Sequence, residues 1–472
     1  MLKKIPFHYL KKFTHQFKLT KMKKSFYLGV LLFSASTLFA QDPEVYKLRL
    51  SYSLFDVPQN LNSAGKYPSM IQSVELSSGL YDLSFWGIDA AGNAIIKNRN
   101  ESFGGKIANT GIKYLLGLTF SYYGSELPIP LGVFTHEEFH RSVLGVNDLL
   151  AMNGNWVFNR WDGTVYGLSD EALSELKMNS VNDLLYSYVS GVQSENYITQ
   201  VNVIEDFYHP RTFYKNPLYL YNAYYVWNYF KFSASSLSDS VKVLAPPHED
   251  VNPVNRDFAG ADLTAWIYDM FSPETPYTDR DMFPGGEGVN RRIGFSDLTA
   301  EGQDYLKKQK QLSLLNFANP AIFLVNRIKV SPDFSIMAFA QYSPVHFGND
   351  IALYIPFQVK SVNQLIAIHS YSNRDKKFPG LQYGIYNISP FHNKRMELGG
   401  MLNLWMQPAD QGFFDQSGKP GGAIEMMSDY YLGRGFSVNI TAGYKTEGWL
   451  IGNPYLDPKG KFRVGLKYFL RD

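Results

Sequence analysis

The chain contains no cysteine. Disulfides, thiolate zinc sites and a lipidated N-terminal cysteine are therefore all excluded. Charge is sparing as well, since Asp, Glu, Lys and Arg supply 19% of the 472 residues and leave a formal charge of +2. No basic patch is interleaved with aromatics, so no nucleic acid is expected as a partner. Internal repeats and low-complexity tracts are missing, and nothing in the composition suggests disorder. Histidine is scarce, with nine in the chain.

Aromatic residues, by contrast, are abundant, with 33 Tyr and 34 Phe. Such enrichment fits either a large aromatic core or the aromatic girdles of a membrane protein. The length allows one large domain or two to three ordinary ones. The N-terminus reads as a processing segment. Lys21, Lys23 and Lys24 precede the apolar run Phe26 to Phe39 and the small residue Ala40. Residues 1–40 are therefore expected to be a signal peptide cleaved before Gln41, with Met22 a second candidate start besides Met1. An uncleaved membrane anchor is the alternative, for which the run is short. The eight basic residues before Gln41 are all lysines, so removing them takes the formal charge from +2 to −6.

Two regions with different periodicity follow. Tyr46, Leu48, Leu50, Tyr52 and Leu54 alternate with polar residues at period two, predicting a strand in residues 41–64. The same alternation returns in the last third, at Met396 to Leu404, Phe436 to Tyr444 and Phe462 to Leu470. Weaker strands are predicted over 334–343, 350–358, 363–371, 381–388 and 421–429. Between them, residues 65–320 read as helical: Ile112 to Tyr123, Val133 to Leu144, Ser169 to Met178, Val181 to Ile204, Tyr219 to Phe232, Asp262 to Phe271 and Asp297 to Phe317. Residues 234–260 and 273–295 read as long loops. The expected fold class is α+β. A helical central region is inserted after an N-terminal strand, and an antiparallel, β-barrel-like region fills 321–472.

The most informative stretch is His136-Glu137-Glu138-Phe139-His140, an HExxH pentapeptide. Histidines four apart lie one helical turn apart, so both imidazoles can face one metal ion, with Glu137 beside the water on it. Such a zinc site needs a third protein ligand. Val143 and Val146 stand where the metzincin pattern requires Gly and His, so a carboxylate on another element is expected. Glu195 is the candidate from geometry. On the helix from Val181, it continues the apolar stripe of Val181, Leu184, Leu185, Tyr188 and Val192, where an unpaired carboxylate is costly. Glu171, Glu175 and Glu205 fall on other, more polar faces. Tyr197, Tyr208 and His209 are candidate donors to a developing oxyanion. His248, Glu249 and Asp250 read as a solvated charge cluster.

Two resemblances add to this reading. The segment Ser190 to Glu195 resembles the glutamate-bearing second helix that follows HExxH in gluzincin peptidases, a likeness spanning His136 to Glu195. It implies a zinc-binding helix pair in which His136, His140 and Glu195 ligate and Glu137 is general base, with Glu138 and Arg141 as bystanders or supporting residues. The ten-residue strands, and the closing Tyr468-Phe469-Leu470, resemble those of bacterial outer-membrane β-barrels. A soluble sheet with one wet face is the alternative. The leading expectation is a secreted, membrane-associated Zn2+ metallohydrolase of the outer membrane or periplasm, acting on a protein or peptide substrate. Its rival is an outer-membrane barrel for transport, adhesion or assembly without enzymatic activity. In a hybrid of the two, the first strand pairs with the last and closes the sheet around the helices.

Overall fold

A computed structural model describes residues 46–59, 67–96, 102–125, 127, 129–154, 164–209, 211, 215–390 and 395–471. The signal-peptide expectation lies outside them. The fold is α+β. Strand β1 (Tyr46–Val57) is followed by α1 (Met70–Ile95), α2 (Phe103–Gly124) and α3 (Gly132–Val146). The short pair β2 (Met152–Asn153) and β3 (Val165–Tyr166) leads to α4 (Asp170–Asn179) and α5 (Val181–Tyr208). Helices α6 (Asn216–Ser233), α7 (Leu237–Leu244), α8 (Asp262–Phe271) and α9 (Ala300–Leu312) complete the helical part. The strands then come in succession: β4 (Ile328–Ser331), β5 (Phe334–Ile336), β6 (Phe339–Val345), β7 (Gly348–Val359), β8 (Val362–Ser372) and β9 (Lys377–Ile388). Last are β10 (Met396–Pro408), β11 (Gly418–Gly433), β12 (Phe436–Lys445) and β13 (Lys459–Arg471).

All the period-two segments are strands of one antiparallel, 11-stranded sheet. As anticipated, β1 pairs with β13, with Tyr52 opposite Leu466. The sheet does not close, however: its order runs from β1 through β13 and back down to β7, then to β5 and β4, with β6 also on β7. The expected closed barrel is thus corrected to an open sheet. The physical reason is that helices occupy the gap. Helix α1 packs on β1, α2 on α1, α6 on α2, and the 3-10 turn Ser313–Phe317 on both α6 and β6. Two further differences lie among the helices. Helix α1 was not anticipated, although Ser69 and Gln72 form a capping box at its start. The stretch 234–260, read as a loop, contains α7.

The alternation along the strands also acquires a direction. In β11 and β12, Glu425, Asn439 and Thr441 are buried against the helices, while Ile424, Met426, Ile440 and Tyr444 are exposed. In β10, Asn403 points in and Leu404 out. The concave face holds Lys467 against Asp429 at 2.7 Å and Lys461 against Glu425. A cavity of about 380 Å³ lies between that face, α1 and α5. Polar inside and apolar outside is the inverse of a soluble sheet.

Candidate metal centre

Helix α3 is surrounded: every residue from Phe134 to Gly145 is buried. Helix α5 runs beside it, buried along most of its length. At intervals of four residues, α5 presents Ser187, Gly191 and Glu195 on one face. Each meets the histidines of α3 differently. His140 Nδ1–H donates to the Ser187 carbonyl at 2.5 Å. His136 Nδ1–H donates to Glu195 Oε1 at 3.1 Å. With both Nδ1 atoms engaged in this way, Nε2 of each ring faces the gap, and in the neutral imidazole that is the atom whose lone pair a ligand would meet. Between them stands Gly191, where a Cβ would lie 2.2 Å from His140 Nε2 and 2.4 Å from His136 Nε2. Only glycine leaves that space open.

The carboxylate that faces this gap is Asp262, the first residue of α8. Its Oδ2 lies 3.3 Å from His136 Nε2 and 3.4 Å from His140 Nε2. Tyr229 of α6 fixes it twice, donating to Oδ2 at 2.8 Å and accepting from the Asp262 backbone N–H at 3.2 Å. His136, His140 and Asp262 together offer ligand atoms within 4.8 Å of one another, all buried, and could hold a metal ion. Two imidazoles and a carboxylate are the donor types of divalent transition-metal sites.

The electrostatics suit a cation. Burial alone depresses His136, yet the carboxylates of Glu195 and Asp262 outweigh it and hold the imidazole well above its ordinary range. His140 is raised for the same reason, through Asp262. Burial opposes ionisation of Asp262, but the two imidazoles prevail and hold its carboxyl well below the usual range. Glu137 is pushed up to about 8, by burial first and then by the charges of Asp262 and Asp257, against the pull of both histidines. Glu195 Oε2 is buried without a hydrogen bond.

The sequence-predicted residues thus separate. His136, Glu137, His140 and Glu195 are brought together, but Glu195 sits on the Nδ1 side of His136 and Asp262 stands at the Nε2 gap. Glu138 accepts from Arg141 and Asn153, each at 2.6 Å, away from the gap. Tyr197, Tyr208 and His209 line the cavity on the sheet side of α5. The aromatic rings beside the histidines are instead those of Tyr225 and Tyr229, 6.1 Å and 6.3 Å from the His136 ring, and Phe258, 5.2 Å from the His140 ring. Sequence reasoning missed Asp262 because an acid in a helix's first turn already has a reason to be there, the helix dipole. Its signal was the start of a helix that the periodicity had placed correctly.

No protein-family description matches the chain, and no curated protein does. Among solved structures, a NanC porin aligns with a TM-score of 0.23 and 10% identity, over 30% of this chain and 74% of that one. A likeness that slight carries no argument about fold or function.

Proposed function

We propose that this protein is a membrane-associated metallohydrolase whose ion is held by His136, His140 and Asp262. The convergence of His136 Nε2, His140 Nε2 and Asp262 Oδ2 on the opening left by Gly191 carries this reading. Glu195 is then the carboxylate that orients His136, and the Ser187 carbonyl does the same for His140. A divalent cation there, Zn2+ being the simplest choice, supplies Lewis acidity and acidifies water. Glu137, next in sequence to His136 and electrostatically coupled to both imidazoles, would become the carboxylate once a cation at the site lowers its raised pKa, and would then take a proton from water and return it to the leaving group. The Tyr225 ring lies 6.1 Å from that of His136, and its hydroxyl is the donor proposed for the developing oxyanion. The peptide bond is the simplest substrate for this chemistry. The outward apolar side chains of β8 to β13 support placement at a membrane, with the outer membrane following from the strand length.

The experiment is metal analysis of protein purified without chelator, together with hydrolysis of a fluorescein-labelled unfolded protein by wild type and Glu137→Gln. Stoichiometric metal in both, with hydrolysis lost in the variant, is the expected result. Equal hydrolysis by the variant removes Glu137 from the mechanism. Metal-free protein leaves the second reading, a non-enzymatic outer-membrane barrel, which the sheet's polar interior and apolar exterior favour by themselves.

A further inference from the structure

Helix α2 stands on the side of the molecule that the sheet leaves open, and its burial pattern is inverted. The residues it buries are Lys113, Gly117, Ser121 and Gly124, with Leu118 and Phe120 partly buried against the core beside them. Those it exposes include Phe103, Ile107, Leu115 and Tyr122, the last three 57%, 65% and 52% exposed. The inward face is built for close approach. A Cβ at Gly117 would lie 2.8 Å from the Phe85 ring of α1 and 2.9 Å from Pro217 of α6. Lys113 is neutralised there by Asp89. Small residues between helices and large apolar residues outside are the arrangement of a helix solvated by lipid.

Charge and length agree. Helix α2 contains no Asp or Glu, and its one charge besides the paired Lys113 is Lys106, in the first turn. Its 22 residues extend about 33 Å, comparable to a bilayer's hydrocarbon thickness of about 30 Å. Exposed apolar residues run from β1 across α1 to α2. The exposed Tyr52, Leu54 and Phe55 of β1 are followed by α1, with Leu83 and Trp86 exposed, and then by α2. On the far side, the Tyr114 hydroxyl ties α2 to the Ile322 carbonyl at 2.9 Å, just ahead of β4. Among the described residues no helix is long and apolar enough to cross a membrane.

We infer that the outward face of α2 contacts lipid acyl chains, so that the helices filling the gap in the sheet complete a lipid-facing belt. This rests on the membrane placement proposed above. It also brings the metal centre near that belt, because Tyr122, Tyr221 and Tyr225 form a row of ring contacts from the exposed end of α2 to His136.

The lack of cysteine makes the test clean. Single variants Ile107→Cys and Leu115→Cys on α2, Leu404→Cys and Ile424→Cys on the sheet exterior, and Lys307→Cys on the exposed side of α9 are labelled with an environment-sensitive fluorophore. The full chain is reconstituted in phosphatidylcholine–phosphatidylglycerol vesicles. Labels on α2 and on the sheet are expected to be quenched by spin-labelled acyl chains and shielded from iodide, with the Lys307 position behaving in the opposite way. If the sheet labels meet lipid while both α2 labels are as open to iodide as position 307, or are shielded from both quenchers by a protein partner, the inference falls and the membrane placement stands. If the sheet labels are also open to iodide, both fall.

Discussion

His136 and Glu195 are joined at the imidazole nitrogen that faces away from the Gly191 gap: Nδ1 to Oε1 at 3.1 Å. The bond fixes the tautomer and aims Nε2 at Asp262. In the proposed site it would also separate two carboxylates by role, Glu195 orienting His136 and Asp262 completing the donor set. Asp262→Asn should therefore abolish metal retention. Glu195→Gln, which can still hydrogen-bond His136, should keep the ion with affinity lowered roughly 10–100-fold. Competition titration against a chelator measures both. Metal lost on changing Glu195 and kept on changing Asp262 would reverse the assignment.

Gly191 offers a sharper probe. A methyl group there meets two imidazole nitrogens inside any permissible contact, and both are held by helices packed on each other. Gly191→Ala should lose the metal while keeping a folded circular-dichroism spectrum. A variant that binds metal with wild-type affinity would show that the ion does not sit in this gap.

Tyr225 should matter for turnover more than for binding. If its hydroxyl donates to charge that develops during reaction, Tyr225→Phe lowers kcat by roughly 10²–10³-fold with little change in KM or metal content. Steady-state kinetics with matched metal analysis decide this; an effect confined to KM would make Tyr225 a substrate contact instead.

Acid sensitivity is expected from a different histidine. His346, between β6 and β7, is fully buried. Its Nε2–H donates to Gln411 Oε1 at 3.1 Å, and its Nδ1 has no partner. Burial pushes its pKa down to about 3. The unfolded chain binds a proton near pH 6.5 and the folded chain does not. Stability is therefore full above about 6.5 and declines as pH falls toward about 3, by on the order of a few kcal/mol. The denaturation midpoint of wild type should drop between pH 7 and pH 4, and that of His346→Gln should drop less. Parallel curves would place the acid sensitivity elsewhere.

The strands were legible because period two survives whichever face is buried. Phe436 to Tyr444 and Phe462 to Leu470 alternate in the sequence as they do in the sheet. The helix carrying His136 and His140 was legible for the matching reason, since four residues make one turn. Glu195 was found from the stripe it extends, and it is buried beside His136. What periodicity lacks is direction across the fold. It could not say that the polar set of each strand faces inward, nor that α1 and α2 fill the gap where the sheet was expected to close.

The amino-acid order alone determined most of the helices and strands, though not α1 or α7, that no thiol takes part, and that two imidazoles share one face of one helix. Those are local properties, set by backbone periodicity and side-chain type. Only the tertiary structure decided that Asp262, 122 residues beyond His140, stands at the Nε2 atoms while Glu195 holds the opposite nitrogen. A coordination site is an arrangement of lone pairs in space. Which carboxylate enters it depends on how three helices pack and on the opening that Gly191 leaves between them.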